Sequence, residues 1–328
     1  MAMTLTRRRA LLGLAGVIAA PAVVGRAIQP ARAAAPMMGP AAPAFRRFKL
    51  GGFEVTTLLD GARIVDGPHP TFGANQSAGD VATLMRQNML PETKVSFYFT
   101  PTLVNTGSEL ILFDTGNAPA NRPAVGGTQD QLKAAGYSPD QVDIVVITHF
   151  HPDHIGGVMT DGAPTYPNAR YVTGAAEHNL WSKIAMDDPE NGAGKLYTAN
   201  LKPQLEKFTF IEPDGEVVSG IGAVQSFGHT LGHLSFHVES EGSRLLIWGD
   251  IANHFVASVQ RPEWHVSFDM DKEMAAATRK RIFDMVATDG VPVVAYHSPF
   301  PAVALIEAKD GGYRWIPETY QIAAMNAG

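Results

Sequence analysis

Short apolar runs alternate along this chain with segments whose apolar positions recur at helical spacing. FEVTTLLDG (53–61), FYFTPTLVNTG (97–107), ELILFDTG (109–116), GAVQSFGHT (222–230), LSFHVES (234–240), SRLLIWGD (243–250) and VPVVAYH (291–297) read as strands. VDIVVITH (142–149) is apolar almost without interruption, the pattern of a strand buried on both faces. The runs 97–107 and 109–116 predict a hairpin turning at Gly107-Ser108. Helical spacing marks TQDQLKAAG (128–136), AEHNLWSKI (176–184), KLYTANLKPQLEKF (195–208) and, most clearly, DKEMAAATRKRIFDMVA (271–287). Residues 62–92 carry few long apolar runs and predict a loop with a short helix near 80–88. A loop of that length serves function more often than connection. Strands alternate with helices in both halves, which predicts a layered α/β domain.

The first residues follow a different pattern. Three arginines, Arg7 to Arg9, precede an apolar run from Ala10 to Gly25, and Ala31-Arg32-Ala33 offers a small-residue cleavage site. This is the layout of a cleaved export signal over 1–34, and the paired arginines suggest the twin-arginine route. The expectation is a periplasmic or secreted protein with no stable membrane anchor after cleavage. An Ala/Pro-rich stretch, 35–47, reads as a tether, and 48–328 as the folded domain. Residues 1–34 hold five arginines and no acid, so their removal takes the formal charge from −6 to −11. A chain this acidic is a poor match for a phosphate backbone, which argues against nucleic acid as a partner. There is no cysteine, so any metal here is held by nitrogen and oxygen.

Candidate chemistry collects where strands end. VDIVVITH runs into HFHPDH (149–154), three histidines and an aspartate in six positions, although the chain has only 11 histidines. In extended backbone, positions i and i+2 point the same way, so His149 and His151 can reach one ion. Pro152 then turns the chain and lets Asp153 and His154 face a second point. His229 closes GAVQSFGHT, Asp250 closes SRLLIWGD and His297 closes VPVVAYH. Neutral imidazoles and carboxylates suit divalent zinc, manganese, iron or cobalt. Seven ligands exceed one tetrahedral ion but fit two ions that share a carboxylate. No G-x-S-x-G motif points to a serine nucleophile.

T-H-x-H-x-D-H after an apolar strand, followed by GHT, GD and a late histidine, resembles the metallo-β-lactamase superfamily over nearly the whole mature chain. The resemblance implies a four-layer αβ/βα sandwich. It implies that His149, His151 and His229 hold one metal, that Asp153, His154 and His297 hold the other, and that Asp250 bridges them. Two divalent ions are expected, with zinc foremost. LVNTG, FDTG, AGYSPDQVD, THFHPDH, YPNA, GHTLGH, WGD and HSPFPA are similar to the methyl parathion hydrolase group, although 117–127 lacks that group's Phe-bearing loop. The implied activity is hydrolysis of an ester, lactone or phosphotriester by a metal-bridging hydroxide, with Asp153 and Asp250 catalytic. β-Lactamase and glyoxalase II-like thioesterase activities belong to the same class. Metal-dependent redox chemistry uses the same scaffold, but His151 stands where flavodiiron proteins carry glutamate, and no flavin-binding domain is appended. The partner expected is a small molecule, and a homodimer is compatible with this reading.

Further roles follow from the resemblance. Trp181 and Tyr197 are expected to wall a substrate pocket. His254, in the neighbourhood of a catalytic tyrosine of related lactonases, is a candidate to touch substrate. Asp114 and His233 are expected behind the ligands, orienting them. His69, His178, His237 and His265 read as ordinary surface or core residues.

Overall fold

The computed structural model describes residues 45–318. One seven-stranded sheet runs in the order Phe45–Leu50, Phe53–Leu58, Thr102–Asn105, Leu110–Phe113, Ile144–Ile147, Arg170–Gly174, Phe208–Ile211. Its first four strands pair antiparallel and its last four parallel. The second seven-stranded sheet runs Glu216–Val218, Ile221–Gln225, Leu234–Ser240, Ser243–Ile247, Val293–Val294, Val303–Lys309, Gly312–Pro317. Only the pair Ser243–Ile247 with Val293–Val294 is parallel there.

Three apolar cores explain the layering. Ile144 and Val146 pack with Val55, Val104 and Phe113 against Phe236, Val238, Leu245 and Ile247 of the other sheet. Their neighbours Val145 and Ile147 point the opposite way, into a core with Leu132, Trp181, Tyr197 and Leu201. The helices Thr128–Ala134, Ala175–Asp187 and Gly192–Asn200 supply that outer layer. On the far side, Leu246, Trp248 and Val293 meet Ile282, Phe283 and Val286 of the helix Lys272–Asp289. A strand with apolar residues on both faces can only be satisfied between two such layers. The order is therefore helices, sheet, sheet, helix: the αβ/βα sandwich.

The structure redraws several elements. The export signal over 1–34 and residues 35–44 of the tether lie outside the described residues. Phe45–Arg47 are not tether: they pair with Thr56–Leu58 as the start of the edge strand. The run 97–107 splits at Pro101, which cannot donate to a ladder. Lys94–Phe99 joins Gly61–Asp66 in a separate two-stranded hairpin, and Thr102–Asn105 enters the large sheet. The strand Gly61–Asp66 therefore runs from the end of the expected strand 53–61 into the span expected as loop, while the helix Ala78–Gln87 falls in its expected place. KLYTANLKPQLEKF is also broken by proline: the helix Gly192–Asn200 gives way to a 3-10 turn over Lys202–Lys207. Of VPVVAYH only Val293–Val294 is ladder, and the rest is turn. No helix among the described residues is long and apolar enough to cross a membrane.

Candidate metal centre

The candidate ligands leave their strands at one edge of the sandwich. Ile247 pairs with Val294 in parallel register, so Asp250 and His297, each three residues further on, emerge side by side. Thr148, just past Ile144–Ile147, accepts a hydrogen bond from the Leu234 amide and ties the two sheets together at this edge. His229 sits in the turn between Ile221–Gln225 and Leu234–Ser240. Gly249 turns the chain into Asp250 with φ +60°, and a Cβ there would lie 2.5 Å from His233 Nε2. Only glycine fits that approach.

Two groups result. Nitrogen or oxygen atoms of His149, His151, His229 and Asp250 all lie within 4.8 Å of one another, as do those of Asp153, His154, Asp250 and His297. Asp250 belongs to both. In the first group His151 Nδ1 is 3.0 Å from His149 Nε2 and 2.9 Å from His229 Nε2. In the second, Asp250 lies 3.0 Å from His297 Nε2 through Oδ2 and 3.3 Å from His154 Nε2 through Oδ1. Asp153 Oδ2 is 3.3 Å from His297 Nε2 and 3.4 Å from His154 Nε2.

The donor set fits cations because its outer atoms are already engaged. His154 Nδ1 lies 2.8 Å from Asp114 Oδ2, His229 Nδ1 2.9 Å from Asp269 Oδ1, His149 Nδ1 3.1 Å from Thr148 Oγ1, and His297 Nδ1 donates to the Tyr98 carbonyl at 2.9 Å. A ring whose far nitrogen donates outward turns a lone pair inward. His154 Nε2 and Asp250 Oδ1 are buried with no hydrogen-bond partner. The two atoms face each other at 3.3 Å without forming a hydrogen bond, and a bound cation would give both a partner.

The electrostatics agree. Burial and then the neighbouring imidazoles hold His149 well below its usual value, and burial with His229 brings His151 down to about 3. Burial would lower His229 and His297 as well. The hydrogen bonds and charges of Asp250 and Asp269 instead raise His229 to about 9, and those of Asp250 and Asp153 raise His297 to about 10. Burial opposes ionisation of Asp250 too, but His297 and His154 hold its carboxyl well down. The ionised carboxylates keep protons on the buried His229 and His297 rings, and a cation can displace them.

The residues expected behind the ligands divide by geometry. Asp114 accepts from the Thr148 amide at 2.9 Å and faces His154 Nδ1. His233 bridges Ser226 Oγ at 2.8 Å and the Asp250 amide at 3.0 Å, and burial brings it down to about 3. The pocket residues are corrected. Trp181 and Tyr197 lie in the outer helical core with Phe150, and neither lines the cleft over the metal groups. Their helical spacing is core spacing. His254 is also turned away: its Nδ1 accepts from the amides of Val256 and Ala257 at 3.0 Å each and so caps a helical turn.

Three supporting residues carry no sequence signal. Glu177, fully buried, accepts from the Phe150 amide at 2.9 Å and from Thr230 Oγ1 at 2.6 Å, clamping the His149–His151 loop to the His229 loop. Asp269, which faces His229, pairs at 3.0 Å with Arg279, and both side chains are fully buried. Arg279 also donates to the carbonyls of Ile251, Pro262 and Trp264. These contacts join residues distant in sequence, which no local motif reports.

A cleft of about 580 Å³ opens over the ligands. His151, Asp153, His229, Asp250 and His297 form its floor, and Val65, Thr71, Phe97, Phe99 and Phe268 its walls, with Asn117 and Arg63 as further polar lining. The Phe99 and Phe97 rings stand 5.3 and 5.8 Å from the His297 ring.

A two-sheet α/β sandwich with paired candidate cation sites sharing one aspartate at its sheet edge points to a class of metalloprotein. The family model of the metallo-β-lactamase superfamily matches residues 100–292, more than half of the chain. The chain belongs to the metallo-β-lactamase superfamily. Among solved structures it is similar to AidC, described as a dizinc quorum-quenching lactonase in complex with the product N-hexanoyl-L-homoserine. The TM-score is 0.78 at 26% identity, over 84% of this chain and 98% of that one. It is likewise similar to the hydrolase AbOPH of the β-lactamase superfamily, with TM-score 0.77 and 28% identity over 85% and 99% of the two chains. An N-acyl homoserine lactonase of Bacillus sp is 28% identical over 165 residues, 50% of this chain. That alignment spans 59% of the relative's own length.

Proposed function

We propose that the protein is a dinuclear metal-dependent hydrolase that opens lactones or cleaves related esters. His149, His151 and His229 would hold one ion, Asp153, His154 and His297 the other, and Asp250 both. The observation that carries this reading is the pair of ligand groups meeting at Asp250 on the floor of an aromatic-walled cleft. The lactonase descriptions of its relatives support the substrate class, and the dizinc description of AidC supports zinc. Two bound divalent ions supply Lewis-acid polarisation of the scissile carbonyl and a water acidified toward neutrality.

The chain's own residues do the rest. Phe97, Phe99 and Phe268 hold the apolar part of the substrate and exclude water from the floor. Asp114, Asp269 and the Tyr98 carbonyl keep the His154, His229 and His297 rings in their inward tautomers. Asp153 is the carboxylate of the site that opens toward the cleft, with its side chain 20% exposed against 3% for Asp250. Its Oδ2 faces His154 and His297. Oδ1 is then the atom that can carry a proton to the departing alkoxide.

The sequence motifs that resemble the methyl parathion hydrolase group are the reason to test phosphotriesters beside lactones, aryl esters, thioesters and β-lactams. Turnover by the metal-loaded protein is expected to be highest on lactones or aryl esters. Failure on both, with two ions bound, would overturn the proposal.

A further inference from the structure

One strand of the hairpin that walls the cleft breaks the expected alternation at two positions, Arg63 and Ile64. Gly61–Asp66 pairs with Lys94–Phe99 so that Arg63 faces Phe97 and Val65 faces Val95 across the ladder. Alternate residues of a strand share a face. Arg63, Val65, Phe97 and Phe99 line the cleft, whereas Ile64, between the first two, is 75% exposed. An amphipathic hairpin would turn the isoleucine inward and the arginine out. Here the charge, exposed at the mouth, shares the face of the aromatic rings, and the aliphatic side chain stands in solvent on the other face. Local rules broken in this way concentrate at functional positions.

Among the described residues, no hydrogen bond or ion pair engages that charge. The one acid of the strand, Asp66, pairs with Lys94 at 2.5 Å. Asp153 and Asp250, the acids lining the cleft, face the histidines of the cation groups. Among the described residues, no other lysine or arginine lines the cleft. A lone guanidinium, always charged and forked, matches a carboxylate in two-point geometry.

We propose that Arg63 selects a substrate carrying a carboxylate at the end of its apolar arm, remote from the bond that is cleaved. The arm lies along Phe97, Phe99 and Phe268, and Arg63 receives the acid at the mouth of the cleft. The inference rests on the hydrolase reading for its substrate but not for its ligand chemistry. A single guanidinium favours a monoanion over a phosphate dianion, which recruits several donors.

Three aryl esters of equal acyl length test it, ending in a carboxylate, a methyl ester or a trimethylammonium group. The native protein is expected to prefer the carboxylate over the neutral ester by about two- to fivefold in kcat/KM, the worth of a charge-assisted contact open to solvent. Arg63→Gln should abolish that preference, and Arg63→Glu should favour the cationic ester. Ile64→Thr, on the outer face, should keep the native order. An order unchanged in Arg63→Glu, or a native preference for the neutral ester, overturns the proposal. Calorimetric binding of the non-hydrolysable amide of the carboxylate ester separates this from the hydrolase reading. If no ester is cleaved yet that amide binds about tenfold more weakly to Arg63→Glu, Arg63 stands and the hydrolase reading falls. Equal binding sinks Arg63.

Discussion

Behind the candidate ligands nearly every polar atom has a fixed partner, while in front of them the cleft is walled by rings and one unpaired charge. Four of the five imidazoles are tied through their far nitrogens to Asp114, Asp269, Thr148 or the Tyr98 carbonyl. These partners are buried or backbone, and they leave each ring one orientation. The front is built by the hairpin of Gly61–Asp66 and Lys94–Phe99 and by the loop bearing Phe268, whose side chain is 43% exposed. A cradle fixed this firmly suits charge stabilisation, which requires groups in place before reaction. The exposed part of the wall, Phe268, Val65 and Arg63, suits substrate choice, because it can change without disturbing the cradle.

Replacing Asp250 tests the cradle most severely. Asp250→Asn keeps the shape but removes the charge shared by both groups. Metal content is expected to fall below two ions per chain, and turnover on every substrate to fall on the order of a thousandfold or more. Elemental analysis beside kinetics decides it. Two ions retained at native activity would show that Asp250 does not bridge.

Trp181 sets the boundary between the two regions. It packs with Phe150 and Tyr197, and its ring is 6.0 Å from that of His151, on the side away from the cleft. Trp181→Ala is expected to cost about 3 kcal/mol or more of stability, as for a buried aromatic truncated in a packed core. Relative rates among substrates should stay as they are. A changed substrate profile in a protein of native denaturation midpoint would move Trp181 to the front after all.

The same division decides what could be read in the sequence. All seven candidate ligands were legible because each follows an apolar strand, and the sandwich makes strand ends converge. The layered fold was legible for a related reason: VDIVVITH needs apolar partners on both faces. Trp181, Tyr197 and His254 were misjudged because only their neighbourhood in the chain was visible. His254 in fact caps a turn, and the two aromatics fill a helical core. The cleft wall was invisible because Gly61–Asp66 is a short strand whose apolar residues do not all face inward. Its role depends on register with Lys94–Phe99, a long-range pairing. Glu177, Asp269 and Arg279 escaped similarly, since their partners lie 10 to 53 residues away.

Asp269→Asn sharpens the description of the cradle from one step back. The variant keeps an acceptor near His229 Nδ1 but loses the charge that faces both that ring and Arg279. Metal affinity is expected to drop about 10- to 100-fold, as for other partners of metal-bound histidines. The measurement is competition with a chelator of known affinity. An affinity that does not move while stability falls would make Asp269 only the counter-ion of Arg279.

Phe268 gives the smallest effect and the cleanest view of the front. It contacts Phe97 edge-on, with ring centres 5.9 Å apart, and no hydrogen bond of the ligand cradle passes through it. Phe268→Ala removes apolar surface that is already part-exposed, so stability should stay within about 0.5 kcal/mol of the native protein. Metal content should remain at two ions. What should change is discrimination between long and short acyl arms, by up to about 1–2 kcal/mol in kcat/KM, because a longer arm gains more from the ring than a short one. A homologous series of lactones differing only in acyl length reads this directly. If every member of the series slows by the same factor, Phe268 acts on the floor and not on the arm, and the separation of cradle from wall fails at this residue.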